Sequence, residues 1–201
     1  MAVETAGTTE EATAVQMRPR LFTTDEYERL VGAGILSYGE RVELIEGQIV
    51  EMNPIGPEHV WSVNDLNDAF RRIDDVVVSV QNPIRLREHV EPQPDIVVLR
   101  TRGPRNRVPL AEHALLVVEV ADTSLAHDRY TKAPLYGRAG IPEYWIVDLN
   151  GERIEVYREP SPAGYRTVRF FLRGESLTPS FAPDMVIQVD AILGPALTPD
   201  E

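Results

Sequence analysis

The chain has 201 residues, 43% of them hydrophobic and 26% charged, enough for one domain with a real core and too apolar for a disordered segment. Its formal net charge of −12 argues against a protein that coats nucleic acid through a basic face. With no cysteine there is no disulfide, thiolate nucleophile or zinc–thiolate site.

No apolar run is long enough to span a bilayer. The opening MAVETAGTTEEATAVQ lacks the basic start and apolar stretch of a secretory signal, so a cytoplasmic location is expected. Residues 1–20 read as a flexible leader, 21–193 as the folded domain and 194–201 as a tail. A helix is expected after Thr23 or Thr24, either of which can cap it, with Tyr27, Leu30 and Val31 at helical spacing and Gly32 and Gly34 at its end. Val42, Leu44 and Ile49 then suggest two short strands turning at Glu46-Gly47. From Glu58 to Ile73, the residues Val60, Val63, Leu66, Asn67 and Phe70 form a helical stripe.

Strands are expected at Val76–Val80, Ile84–Arg87, Asp95–Leu99, Leu115–Val120 and Tyr144–Asp148. The last three are near-continuous apolar runs, as strands covered on both faces require. Arg153–Tyr157 and Thr167–Leu172 alternate and read as a hairpin or meander. The fold class is therefore α/β, a mixed sheet flanked by helices. Pro134, tolerated best in a first helical turn, places a further helix from about Thr131 to Arg138, closed by Gly140.

Two carboxylates lie in these apolar strands: Asp95, after Pro94, and Glu119, inside LLVVEV. A carboxylate there is costly unless it is paired or binds a cation. On adjacent strands the two could aim at one point, and oxygen ligands of this kind suit Mg²⁺ or Mn²⁺. Taken singly, Asp95 reads equally well as a strand-entry residue bonded to a backbone amide, and Glu119 as the buried partner of an arginine. Lys132, at the expected helix start, could hold an attacking water or steady a phosphate, or lie solvated on the surface. Glu43 could be a third carboxylate, with Glu46 as its competitor. His59, Asp128 and Tyr136 are candidates for contact with substrate or for support of the site, against ordinary structural roles. Arg100, Arg102, Arg105 and Arg107 make a basic loop that could serve as a phosphate-contacting lip or simply be solvated.

No Walker loop, GxGxxG or HExxH sequence occurs, which speaks against a nucleotide-cofactor enzyme and a zincin. In order, VELIEGQIVEM, PEHVWSVNDL, PQPDIVVL, LLVVEVAD and DRYTKAPLYGRAGIPEYWIVD resemble the Uma-two family of the PD-(D/E)xK, restriction-endonuclease-like superfamily, over roughly residues 21–190. The resemblance implies a restriction-endonuclease-like mixed central sheet and metal-dependent hydrolysis of phosphodiester bonds in DNA. It implies Asp95, Glu119 and Glu43 as metal-binding catalytic carboxylates, and a pairing of chains to cut two strands, hence a homodimer. The superfamily's usual lysine, two positions after the second acid, is here Ala121, and Lys132 matches the lysine of the family's D-x-x-x-K segment. The alternative is a nuclease fold without turnover, used for binding or assembly.

Overall fold

The computed structural model describes residues 18–37 and 39–196. The expected leader therefore lies mostly outside the described residues, as does most of the expected tail. Helix α1 (Thr24–Gly32) opens with a capping box, in which Thr23 and Glu26 each bond the other's backbone N–H. A hairpin of β1 (Val42–Ile45) and β2 (Gln48–Glu51) follows. Its turn lies at Glu46-Gly47, both with positive φ, as a tight two-residue turn requires. A Cβ at Gly47 would meet the Leu21 Cβ at 2.5 Å, so glycine serves both the turn and the close approach.

Helix α2 (Pro57–Phe70) buries His59, Ser62, Val63, Leu66 and Phe70. The expected stripe is corrected at one end, because Val60 is exposed and His59 takes the inward position. The central sheet has the order β3-β4-β5-β6-β7-β8: Val77–Val80, Ile96–Leu99, Ala114–Ala121, Glu143–Asp148, Arg153–Ser161 and Gly164–Leu172. All neighbours are antiparallel except β5 and β6, which run parallel and are joined by a helical crossover. Ile84–Arg87 is not a strand. It makes only isolated bridges, Arg85 to Leu110 and Arg87 to Val90, because the chain folds back on itself after Arg87.

Alternation divides the core between the two faces of the sheet. Ile96, Val98, Leu116, Val118, Val120 and Trp145 pack with α2 on one face. Val97, Leu99, Val117, Ala121 and Ile146 pack with Tyr136 and Ile141 on the other. Trp145 meets Phe70 with ring centroids 5.8 Å apart. A small β9–β10 pair (Ser176–Leu177, Ile187–Gln188) and helix α5 (Val189–Leu193) complete the α2 side.

The crossover departs most from expectation. The helical run begins at Leu125, as α3 (Leu125–His127). It continues through a π-type segment, Asp128–Lys132, into α4 (Ala133–Arg138). The Ala133 N–H bonds the Asp128 carbonyl, so a wide π turn carries the backbone into the turn that holds Pro134. Lys132 is thus inside a helical run rather than at its start.

Candidate active site

The register Ile96 to Val118, continued by one residue, sets Asp95 opposite Glu119. Both then belong to the face covered by α4. The side chains of Glu43, Asp95, Glu119, Asp128 and Lys132 line one cavity of about 310 Å³, together with His59 and His127. All five of the former are buried, at 1–5% exposure.

Asp95 is held on three sides. Its Oδ2 accepts from His59 Nε2 at 3.0 Å and from the Val120 N–H at 2.9 Å, and its Oδ1 accepts from Gln81 Nε2 at 3.2 Å. Burial pushes its pKa up, but these hydrogen bonds and the proximity of His59 outweigh burial and leave it below its ordinary value. Glu119 Oε1 accepts from Lys132 Nζ at 3.0 Å and from the Tyr136 hydroxyl at 2.8 Å. Burial, then the charges of Asp128, Asp95 and Glu43, hold its carboxyl well above the ordinary range against the pull of Lys132. Lys132 also ion-pairs with Glu43 at 3.3 Å and approaches Asp128 at 3.9 Å. Burial alone would lower its pKa, but Glu119, Glu43 and Asp128 raise it, so the ammonium stays charged.

Glu43 is further held by the Gln93 N–H at 3.1 Å and faces His127 at 3.6 Å. Burial pushes its carboxyl up, and His127, Lys132 and the Gln93 N–H together bring it below the ordinary value. Asp128 accepts from the Ser124 hydroxyl at 2.5 Å. Its carboxyl is raised by burial, against Lys132.

Seven of the residues singled out from sequence meet here: Glu43, His59, Asp95, Glu119, Asp128, Lys132 and Tyr136. Glu46 does not. It is exposed on the hairpin turn, paired with Arg87 and Arg138. The supports that sequence reasoning missed are Gln81, Gln93, Ser124 and His127. Gln81 carries a positive φ of 50°, which places it at the end of β3 beside Asp95, and nothing in its sequence context marks it. The arginine-rich loop leaves the end of β4 opposite to Asp95. Arg105 and Arg107 line a separate groove, and Arg41 is the arginine at the cleft.

A family model described as "Putative restriction endonuclease", Uma2, matches residues 24–190. The chain belongs to the Uma2 family. No curated protein matches it. A crystal structure titled as a "putative nuclease belonging to DUF820", from Anabaena variabilis, is similar to this Uma2 chain with a TM-score of 0.66 at 20% identity, covering 86% of this chain and 97% of that one. That likeness shows that the two share a fold.

Among the described residues no helix is long and apolar enough to cross a membrane. Nor, among them, do three or more His, Asp or Glu side chains stand grouped as a ready-made metal cage. The donor set still suits a hard cation. Mg²⁺ is commonly held by one or two carboxylates, with water and substrate phosphate completing its shell. A carboxylate offers about four lone-pair sites. Three are used on Asp95, and Glu119 Oε2 has no hydrogen-bond donor among the described residues.

Proposed function

We propose that this Uma2 chain is a divalent-cation-dependent nuclease that hydrolyses phosphodiester bonds in DNA at the cleft of Asp95 and Glu119. One observation carries the reading. The buried carboxylates Glu143, Asp148 and Glu155 each meet arginine: Arg158 for the first, Arg129 and Arg153 for the other two. By contrast Glu43, Asp95, Glu119 and Asp128 share one cleft with a single buried ammonium, that of Lys132, and no arginine pairs with them among the described residues. Buried negative charge left uncompensated calls for a cation. The family supports phosphodiester chemistry as its use.

Asp95 and Glu119 are the residues that would hold Mg²⁺ or Mn²⁺. Bound there, the ion supplies an acidified water and polarisation of the phosphoryl oxygen. The protein supplies the rest. His59, Gln81 and the Val120 N–H fix the orientation of Asp95. Tyr136 and Lys132 hold one oxygen of Glu119 and leave the other toward the cleft. Lys132 keeps its charge and has a donor to spare for the developing negative charge on phosphorus. Glu119 at 3.0 Å and Glu43 at 3.3 Å hold that ammonium in place, with the charge of Asp128 3.9 Å away. Were the site to cut both strands of a duplex it would be required twice, as in a homodimer, and light scattering measures whether the chain pairs.

A second reading is favoured by Lys132 already sitting among the carboxylates: a nuclease fold that binds without turnover. Calorimetric titration with Mg²⁺ and Mn²⁺, run beside a cleavage panel of single-stranded, double-stranded and supercoiled DNA and RNA, separates the two. The nuclease reading expects metal binding and cleavage, both lost in Asp95→Asn. Metal-independent cleavage, or cleavage that survives this change, would refute the assignment.

A further inference from the structure

The mouth of the cleft is bridged. The segment between β2 and α2 approaches from one side, and the segment after β5 from the other. Asn53 Nδ2 donates to the Thr123 hydroxyl oxygen at 3.3 Å. A Cβ placed on Gly56 would lie 3.2 Å from Asp122 Oδ2, tighter than ordinary contact, so the walls also meet closely there. Asp122 is itself anchored, because Asn150 Nδ2 donates to its carbonyl at 2.6 Å. Met52, Pro54 and Ile55 give this bridge an apolar lining toward the cavity.

Below the bridge the carboxylates lie at 1–5% exposure in a space of about 310 Å³. That is the small end of the roughly 300–1,000 Å³ typical of sites that enclose a small molecule. An intact duplex carries a charge about every 1.7 Å of its axis on a stiff convex surface. Glu51 and Asp122 line the same cleft against one arginine, Arg41, so the phosphates flanking one seated on the floor would meet a wall of net negative charge. A single strand rotates about its own backbone and can insert one nucleotide into a pocket. The apolar wall then meets sugar or base while the phosphate goes to the floor.

We infer that the cleft takes a single-stranded, flap or terminal nucleotide passed beneath the Asn53–Thr123 bridge, and discriminates against an intact duplex. The inference rests on the nuclease reading and narrows its substrate. The test uses the full chain with Mn²⁺ and three labelled DNAs sharing one sequence: a single strand, a relaxed, covalently closed circular duplex with neither ends nor loops, and a duplex with a single-stranded tail. The expected result is kcat/KM about tenfold or more higher for the single strand, and for the tail, than for the closed duplex. Asn53→Ala, and independently Thr123→Ala from the other wall, should lower that ratio by about threefold or more by admitting duplex.

Closed duplex cut within about twofold of the single strand overturns this inference and leaves the nuclease reading standing. A ratio unchanged in both bridge variants removes the bridge as the selecting element and overturns the inference equally. Absence of cleavage of all three DNAs with Mn²⁺ and with Mg²⁺ overturns the nuclease reading, and this one with it.

Discussion

Replacing Lys132 with methionine tests the electrostatics of the cleft directly. The side chain keeps similar length and packing and loses the ammonium that lies 3.0 Å from Glu119, 3.3 Å from Glu43 and 3.9 Å from Asp128. Removing one partner of a buried ion pair costs roughly 3–5 kcal/mol, because the other charge stays buried without compensation. Against a typical domain stability of about 5–15 kcal/mol, that is a large part of the whole. Urea denaturation followed by tryptophan fluorescence measures it, since Trp145 is fully buried in the core.

The cost must depend on pH with a definite sign. Glu119 is a carboxyl raised well above its ordinary value by burial and by the charges around it, and losing Lys132 raises it further. A raised carboxyl contributes its full stability below the unfolded value of about 4.3, and that contribution is lost as pH rises through the folded value. The penalty of Lys132→Met is therefore largest near neutrality and shrinks toward pH 5. Adding Glu119→Gln to Lys132→Met removes the stranded charge and should recover about 1–3 kcal/mol, so the two changes are not additive. A loss that is the same at pH 7 and pH 5, or additivity within about 0.5 kcal/mol, would refute the reasoning.

Other outcomes follow from the same contacts. Asp95→Asn should leave the unfolding transition cooperative while Mn²⁺ binding by calorimetry falls at least about tenfold, as loss of a ligand charge requires. Mn²⁺ affinity should rise with pH, because burial holds the Glu119 carboxyl above its ordinary value and only its ionised form binds the ion; titrations in buffers of different ionisation enthalpy measure the proton released. Tyr136→Phe removes the 2.8 Å hydroxyl bond to Glu119 and should cost about 1–2 kcal/mol in urea. Gly137→Ala would put a Cβ 2.4 Å from the Gly164 backbone, which cannot yield as a flexible side chain would. A loss of about 3 kcal/mol, or roughly 6–12 °C in Tm, is expected by calorimetry.

The central strands were readable because IVVL, LLVVEV and YWIVD are long apolar runs that only a sheet covered on both faces can bury. The meeting of Asp95 with Glu119 was readable too, since adjacent antiparallel strands bring such positions side by side. The helical crossover was not. Pro134 suggested a start near Thr131, whereas the π-type turn carries helical backbone through Asp128–Lys132 and buries both end residues. Such a turn leaves no periodic mark in sequence. Val60 misled for a different reason: apolar character at the right spacing cannot tell which of two adjacent positions faces inward, and His59 does so because Asp95 bonds it.

The deepest ambiguity lay in the carboxylates themselves. An acid within an apolar strand was the signal for the site, yet Glu143, Asp148 and Glu155 share that sheet and are as deeply buried as Glu119. Composition cannot separate the two groups, because the difference is where the cations lie. Arg158 comes to Glu143 across the β6–β7 register, at the paired position. Arg129, from the crossover, and Arg153, from β7, come to Asp148 and Glu155. Each of those acids gains a guanidinium whose planar fork matches a carboxylate. The cleft instead receives a single ammonium, that of Lys132, for four acids from four separate segments of the chain. A lysine leaves Glu119 Oε2 without a donor among the described residues, whereas a bidentate arginine would occupy both oxygens of a carboxylate. The distinction between the two groups thus lies in the pairing of tertiary partners, and on the proposed reading changing Lys132 to arginine should reduce Mn²⁺ binding while preserving stability far better than methionine does.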